Sequence, residues 1–247
     1  MDGGPDGIRL RALIDRPGWS RALTGCTLAY APGRQDDAPL VAAFEDDAVP
    51  AWAPGFAKRR GWASLSITGN GPRAFRDDAL HGLLDEMEFD GAFDLPAKVV
   101  FMGGGPFAGH AAAACSVVAP GAAVLAVSPL AVLDPARMGG YERRSDASGA
   151  VNPTVIHDPM RMPDAAQAAL FRDAKHLHAP FGGSDLWGTL RRIGALDRLA
   201  VWAAEDRLDP LPFARVWRAR RGDSAWHVRI SRALQDRQAR AARSKAG

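Results

Sequence analysis

Three histidines and an aspartate sit at the ends of two short apolar runs: His157 and Asp158 close TVIHD, and His176 and His178 alternate in KHLH. Imidazoles and a carboxylate that converge can hold a metal ion, and an adjacent acid and base can activate water. The alternation puts His176 and His178 on one strand face. Bringing them to His157 requires neighbouring strands in the right register, so no metal is expected, and Asp158 is read as a pocket-lining acid. A second group is Gly103-Gly104-Gly105-Pro106-Phe107, just before an Ala-rich run that starts near His110. Glycine-rich turns ahead of a helix can cradle an anion with backbone N–H groups. Pro106 removes one such donor and suits the first turn of a helix, which makes this a tight strand-to-helix turn. With neither the spacing of a dinucleotide fingerprint nor a following Lys-Ser/Thr, it implies no nucleotide and no cofactor.

The elements that would position these residues can be read from hydrophobic patterning. Short apolar runs bounded by Gly, Pro or Asp at 28–30, 40–44, 63–68, 98–102, 123–128, 154–157 and 175–178 predict strands. Leu80, Leu83, Leu84 and Met87 recur at helical spacing and predict a helix over 76–89; further helices are expected at about 109–119, at 164–171, and from Ser184 to the end. Gly, Ser and charge make 138–153 a long surface loop or a shortened lid. Strands apolar on both faces and alternating with helices read as α/β, a mostly parallel sheet covered on both sides.

The stretch from Lys98 to Pro129, strand, glycine turn, small-residue helix, strand ending Ser-Pro, resembles the nucleophile-elbow region of α/β-hydrolase-fold proteins. It is similar in particular to a bacterial branch whose elbow reads G-x-S-x-G-G-Y-A-A. Counted back from Gly109-His110-Ala111-Ala112, the nucleophile position falls on Pro106, or on Gly105 if the match slips by one. Neither offers a hydroxyl or thiol. The resemblance places the triad acid at Asp158 and the catalytic histidine at Gly183. It implies an α/β-hydrolase-like protein without its triad, that is, a non-catalytic binding or scaffold protein whose pocket is lined by Gly103 to Phe107 and Asp158. The alternative is a hydrolase or esterase acting through Asp158 with His157 or His110. The chain is also similar to alphaproteobacterial sequences that often carry the automatic name phosphoadenosine phosphosulfate reductase. Such reductases use an S-G-G-x-D-S loop and a C-terminal cysteine; here Phe181 to Leu186 lacks both serines and no cysteine follows Cys115, so the thiolate is missing.

At 247 residues, 47% hydrophobic and 24% charged, the chain is a folded domain rather than a disordered one. Its net charge of +3 hides an asymmetry, because residues 191–247 carry 14 basic and 6 acidic side chains, +8, leaving −5 for the rest. The expected organisation is an α/β-hydrolase-like domain over 1–210 and an Arg-rich helical C-terminal extension over 211–247. That extension gives a third functional reading, a basic-helix interaction module. Phe213, Val216 and Trp217 form an apolar stripe opposite Arg215 and Arg218, so ordinary amphipathicity is preferred and nucleic acid is not the expected partner. A small molecule or a protein is. No apolar run reaches the ~18 residues of a membrane span, the N-terminal residues read as neither signal peptide nor anchor, and Cys26 and Cys115 form no framework. The expectation is a cytoplasmic bacterial protein.

Overall fold

The structure is a computed structural model that describes residues 18–46, 50–69, 74–133, 146–148, 150–219, 227, 228, 230–232 and 235. Most of the C-terminal extension and of the 138–153 loop lie outside the described residues. Eight strands form one sheet: β1 (Ser20–Ala22), β2 (Cys26–Ala31), β3 (Leu40–Asp46), β4 (Ala63–Gly69), β5 (Val99–Gly104), β6 (Ala123–Val127), β7 (Thr154–His157) and β8 (Lys175–His178). Their order is β1-β2-β4-β3-β5-β6-β7-β8. The pairs β1–β2 and β2–β4 are antiparallel, and every pair from β4 to β8 is parallel.

The parallel strands are apolar on both faces because both faces are covered. Along β3, Leu40, Ala42 and Phe44 enter one core with Leu80 and Leu84, while Val41 and Ala43 enter the other with Phe56 and Leu199. The first core is closed by α2 (Asp78–Phe89) and α3 (Pro106–Cys115), with Ala168 of α4 (Met162–Ala168) at its margin. The second is closed by α1 (Ala53–Arg60), α5 (Leu186–Arg192), α6 (Ala195–Ala204) and α7 (Pro210–Ala219).

The four-residue spacing behind α2 is seen directly, with Leu80, Leu83, Leu84 and Met87 all buried and the Asp77 carboxylate accepting the Ala79 N–H as its cap. The helix expected from 109 starts at Pro106 instead, since a proline costs no hydrogen bond in the first turn. Between Ser184 and residue 219 the expected helical stretch is divided into three helices, broken at Gly194 with φ +66° and again at residues 205–209. Within α7, Phe213 and Trp217 are buried in the second core and the Trp217 indole N–H donates to the Pro180 carbonyl at 3.2 Å, so this first part of the basic segment packs on the sheet.

Candidate functional site

In open parallel sheets ligands bind beyond the carboxyl ends of the strands. There lies a cavity of about 540 Å3 whose lining includes Asp46 after β3, Gly105 and Phe107 after β5, Ser128 after β6, and Trp187 and Arg191 of α5. A larger cavity, about 810 Å3, lies at the opposite end of the sheet among Lys98, Ala123, Thr154 and Lys175. Its two lysines are spoken for, Lys98 by the Asp206 carboxylate and Lys175 by the Leu208 carbonyl.

The floor of the first cavity is the β5–α3 turn. Gly105 carries it, with φ +92° and ψ −179°, a conformation that side chains rarely adopt. Pro106 follows as the first helical residue, one place beyond the left-handed turn, so the strained position is Gly105 and not Pro106. The turn is pinned to its neighbour, Gly105 N–H donating to the Val127 carbonyl at 2.8 Å and Leu130 N–H to the Pro106 carbonyl at 3.0 Å. The glycines have three different reasons. A Cβ at Gly103 would lie 2.0 Å from the Ala108 carbonyl oxygen, so Gly103 is what lets α3 lie against β5; it sits beneath the cavity and does not line it. A Cβ at Gly104 would lie 2.2 Å from the Trp187 ring, which covers it. A Cβ at Gly105 would meet nothing within 4 Å, so the space above the turn is open.

Asp158 is 1% exposed and does not line the cavity. Its Oδ1 accepts the N–H groups of Met160 and Phe181 at 2.9 and 3.0 Å, and its Oδ2 accepts the Gly183 N–H at 3.1 Å. The carboxylate therefore holds the 181–183 turn, where Phe181 and Gly183 both have left-handed φ, +61° and +80°.

The three histidines do come together. β7 and β8 pair with His157 opposite His178 and Val155 opposite His176, and the His157 ring packs edge to face against both, with centroids 5.0 Å from His178 and 5.5 Å from His176. His157 is 6% exposed and its Nδ1 has no hydrogen-bond partner. Burial first, then the two neighbouring imidazoles, push its pKa down to about 4, so the ring is neutral at neutral pH. Among the described residues no three His, Cys, Asp or Glu side chains are grouped to hold a metal ion. His110, read as a candidate acid or base at the pocket mouth, is 3% exposed, with Nδ1 2.9 Å from the Leu130 carbonyl, and is not part of the cavity wall. There Nδ1 must donate, so the ring ties α3 to the following loop.

Sequence reasoning did not bring Ser128, Asp164, Arg161, Glu45 and Trp187 to this region, because spacing along the chain does not show which of these groups meet. Ser128 has φ +48°, and its hydroxyl donates to Asp164 Oδ2 at 3.2 Å; burial raises the Asp164 pKa while Arg161, 3.6 Å away, opposes that. Arg161 also donates to the Gly183 carbonyl at 3.1 Å, linking this group to the turn held by Asp158. At the end of β3, Glu45 is 1% exposed and receives the N–H groups of Trp52 and Ala53 at the start of α1; burial raises its pKa and these bonds oppose the rise. Trp187 lies beside Glu45, near enough to favour the charged carboxylate, though its indole N–H makes no well-formed hydrogen bond. The only advance signal was the Ser-Pro closing β6.

No protein-family model matches the chain, and no curated protein matches it. Solved structures do resemble it. A hyperthermophilic esterase from the archaeon Pyrobaculum calidifontis superposes with a TM-score of 0.50 at 11% identity, over 82% of this chain and 91% of that one. A dienelactone hydrolase from Anabaena variabilis gives 0.48 at 12% identity, over 78% and 100% of the two chains. Carboxyl esterase 2 from the mycorrhizal fungus Tuber melanosporum gives 0.46 at 12%, over 74% and 85%. Together with the strand order, the first of these likenesses establishes an α/β-hydrolase-like fold; at such identities it establishes nothing about activity.

Proposed function

We propose that this chain is a non-catalytic α/β-hydrolase-like protein that keeps the cavity at its strand ends as a binding site for a small molecule. The carrying observation is the dipeptide Gly105-Pro106. In hydrolases of this fold the nucleophile occupies the left-handed residue between strand and helix, and the N–H of the next residue helps to form the oxyanion hole. Here the left-handed residue is Gly105, which has no side chain, and the next is Pro106, which has no N–H. Nucleophile and oxyanion donor are thus absent from the same turn. Gly183 stands where the resemblance puts the base, and its amide, not an imidazole, bonds to Asp158. Acyl transfer through a triad needs all three groups in contact, whereas binding needs only the cavity, whose volume is in the usual range for small-molecule sites.

The test is steady-state hydrolysis of p-nitrophenyl acetate and p-nitrophenyl butyrate by the purified full chain between pH 6 and 9. The expected rate is that of buffer. Turnover above buffer that follows the folded chain through purification and disappears when the chain is thermally unfolded would overturn the reading in favour of a surviving hydrolase.

A further inference from the structure

We propose that the cavity receives a neutral, polyhydroxylated ligand of one or two rings, such as a mono- or disaccharide; this rests on the reading that the elbow no longer performs acyl transfer. A hydrolase pocket is rich in donors where a carbonyl oxygen becomes negative. In this chain the polarity of that place is reversed. Pro106 offers no N–H. Ser128, on the adjoining strand end, gives its proton to Asp164, so its oxygen meets the cavity as an acceptor. Asp46 and Asp185 line the same space, and both are already engaged, Asp185 through one oxygen bound to the Gly188 N–H at 2.8 Å. At this floor a carbonyl oxygen finds no N–H at 106 while hydroxyl groups find acceptors, and the donors of the cavity stand on its wall, in Arg191 and Arg192.

Charge decides between a hydroxylated ligand and a cationic one. Arg191 and Arg192 line the cavity with the two aspartates, bound respectively to the Pro50 carbonyl at 2.6 Å and the Thr189 hydroxyl at 3.2 Å. Among the described lining residues two guanidinium groups offset two carboxylates, a balance that favours neither anion nor cation. All four are planar groups with paired donors or acceptors, the geometry that matches vicinal hydroxyl pairs. Phe107, half-buried, supplies apolar surface against which the C–H face of a sugar ring can lie, and the largely buried Phe75 and Trp187 add to the apolar lining. The open space above Gly105 lets a ring reach the backbone at the turn.

Saturation-transfer NMR and titration calorimetry on the full chain, with cellobiose, xylobiose and chitobiose as probes and benzoate and benzylamine as controls, test this. The expected result is binding of at least one disaccharide and of neither control, weakened at least fivefold in both Asp46→Asn and Ser128→Gly. The glycine variant removes the hydroxyl and suits the left-handed backbone at 128, so it should fold, and unfolding midpoints check both variants. Binding of benzoate or benzylamine in preference to the disaccharides, binding of none of the five, or unchanged affinity in the two variants would each overturn the proposal. Ester turnover accompanied by disaccharide binding would sink the non-catalytic reading alone.

Discussion

Removing the Asp158 carboxylate should cost stability, because in this protein the residue at the triad-acid position binds backbone. Three N–H groups, from Met160, Phe181 and Gly183, donate to it at 2.9 to 3.1 Å within a site that is 1% exposed. A hydrogen bond to an ionised group contributes about 1.5–3 kcal/mol net, and orphaned buried donors add a desolvation cost. The three share one acceptor and are not additive, so Asp158→Ala is expected to lose about 3–5 kcal/mol. Part of that is the release of Phe181 from a left-handed conformation that a bulky residue adopts only when held. For a chain of this length the thermal midpoint should fall by about 10 °C. Asp158→Asn keeps one acceptor oxygen and should lose about half as much. Urea unfolding followed by tryptophan fluorescence measures both, with the slope of the transition showing that the denatured state is unaltered. A loss below about 1 kcal/mol for the alanine variant would refute the reasoning and return Asp158 to the role of a poised acid.

Further outcomes follow from the same geometry. Gly103→Ala places a methyl 2.0 Å from the Ala108 carbonyl oxygen and must push α3 off β5, costing about 3 kcal/mol or more by chemical denaturation, whereas Gly104→Ala meets the Trp187 ring and should also shift tryptophan emission. Gly105→Ser points into open space but places a side chain on backbone at φ +92°, so it should cost about 1–3 kcal/mol, and it should not hydrolyse aryl esters, since neither an oxyanion N–H at 106 nor a base at 183 accompanies it. His157 titrates at about 4 when folded against an ordinary 6.5. Between those values the unfolded chain takes up a proton that the folded ring refuses. Stability from this group is therefore complete above pH 6.5 and is lost as pH falls towards 4, by at most about 3 kcal/mol; His157→Gln should flatten that part of the stability–pH curve.

How far the sequence reached depends on whether a feature is local. The strands from Leu40 onward and α2 were legible because their apolar residues repeat at the period of the element. The helix α1 was not, since Pro54 and Gly55 leave no apolar run at helical spacing, although a proline in the first turn is harmless. The short edge strand β1 has no apolar run of its own; only pairing with β2 defines it. At the site, the lack of a hydroxyl or thiol in the β5–α3 turn was legible from residue types, while the positive-φ position is Gly105 because backbone conformation, not spacing, decides it. The lining was illegible because Asp46, Ser128 and Arg191 belong to three distant strand and helix ends that only the sheet order brings together.

The most direct test of the loss of elbow chemistry is labelling of the native protein with a fluorophosphonate, followed by peptide mapping. Such a reagent phosphonylates an activated serine wherever it lies, so it does not depend on guessing the substrate. The expected result is an unmodified mass after prolonged incubation. A stoichiometric adduct on any serine of the cavity, Ser128 or Ser184, would contradict the account and identify the nucleophile of a surviving hydrolase.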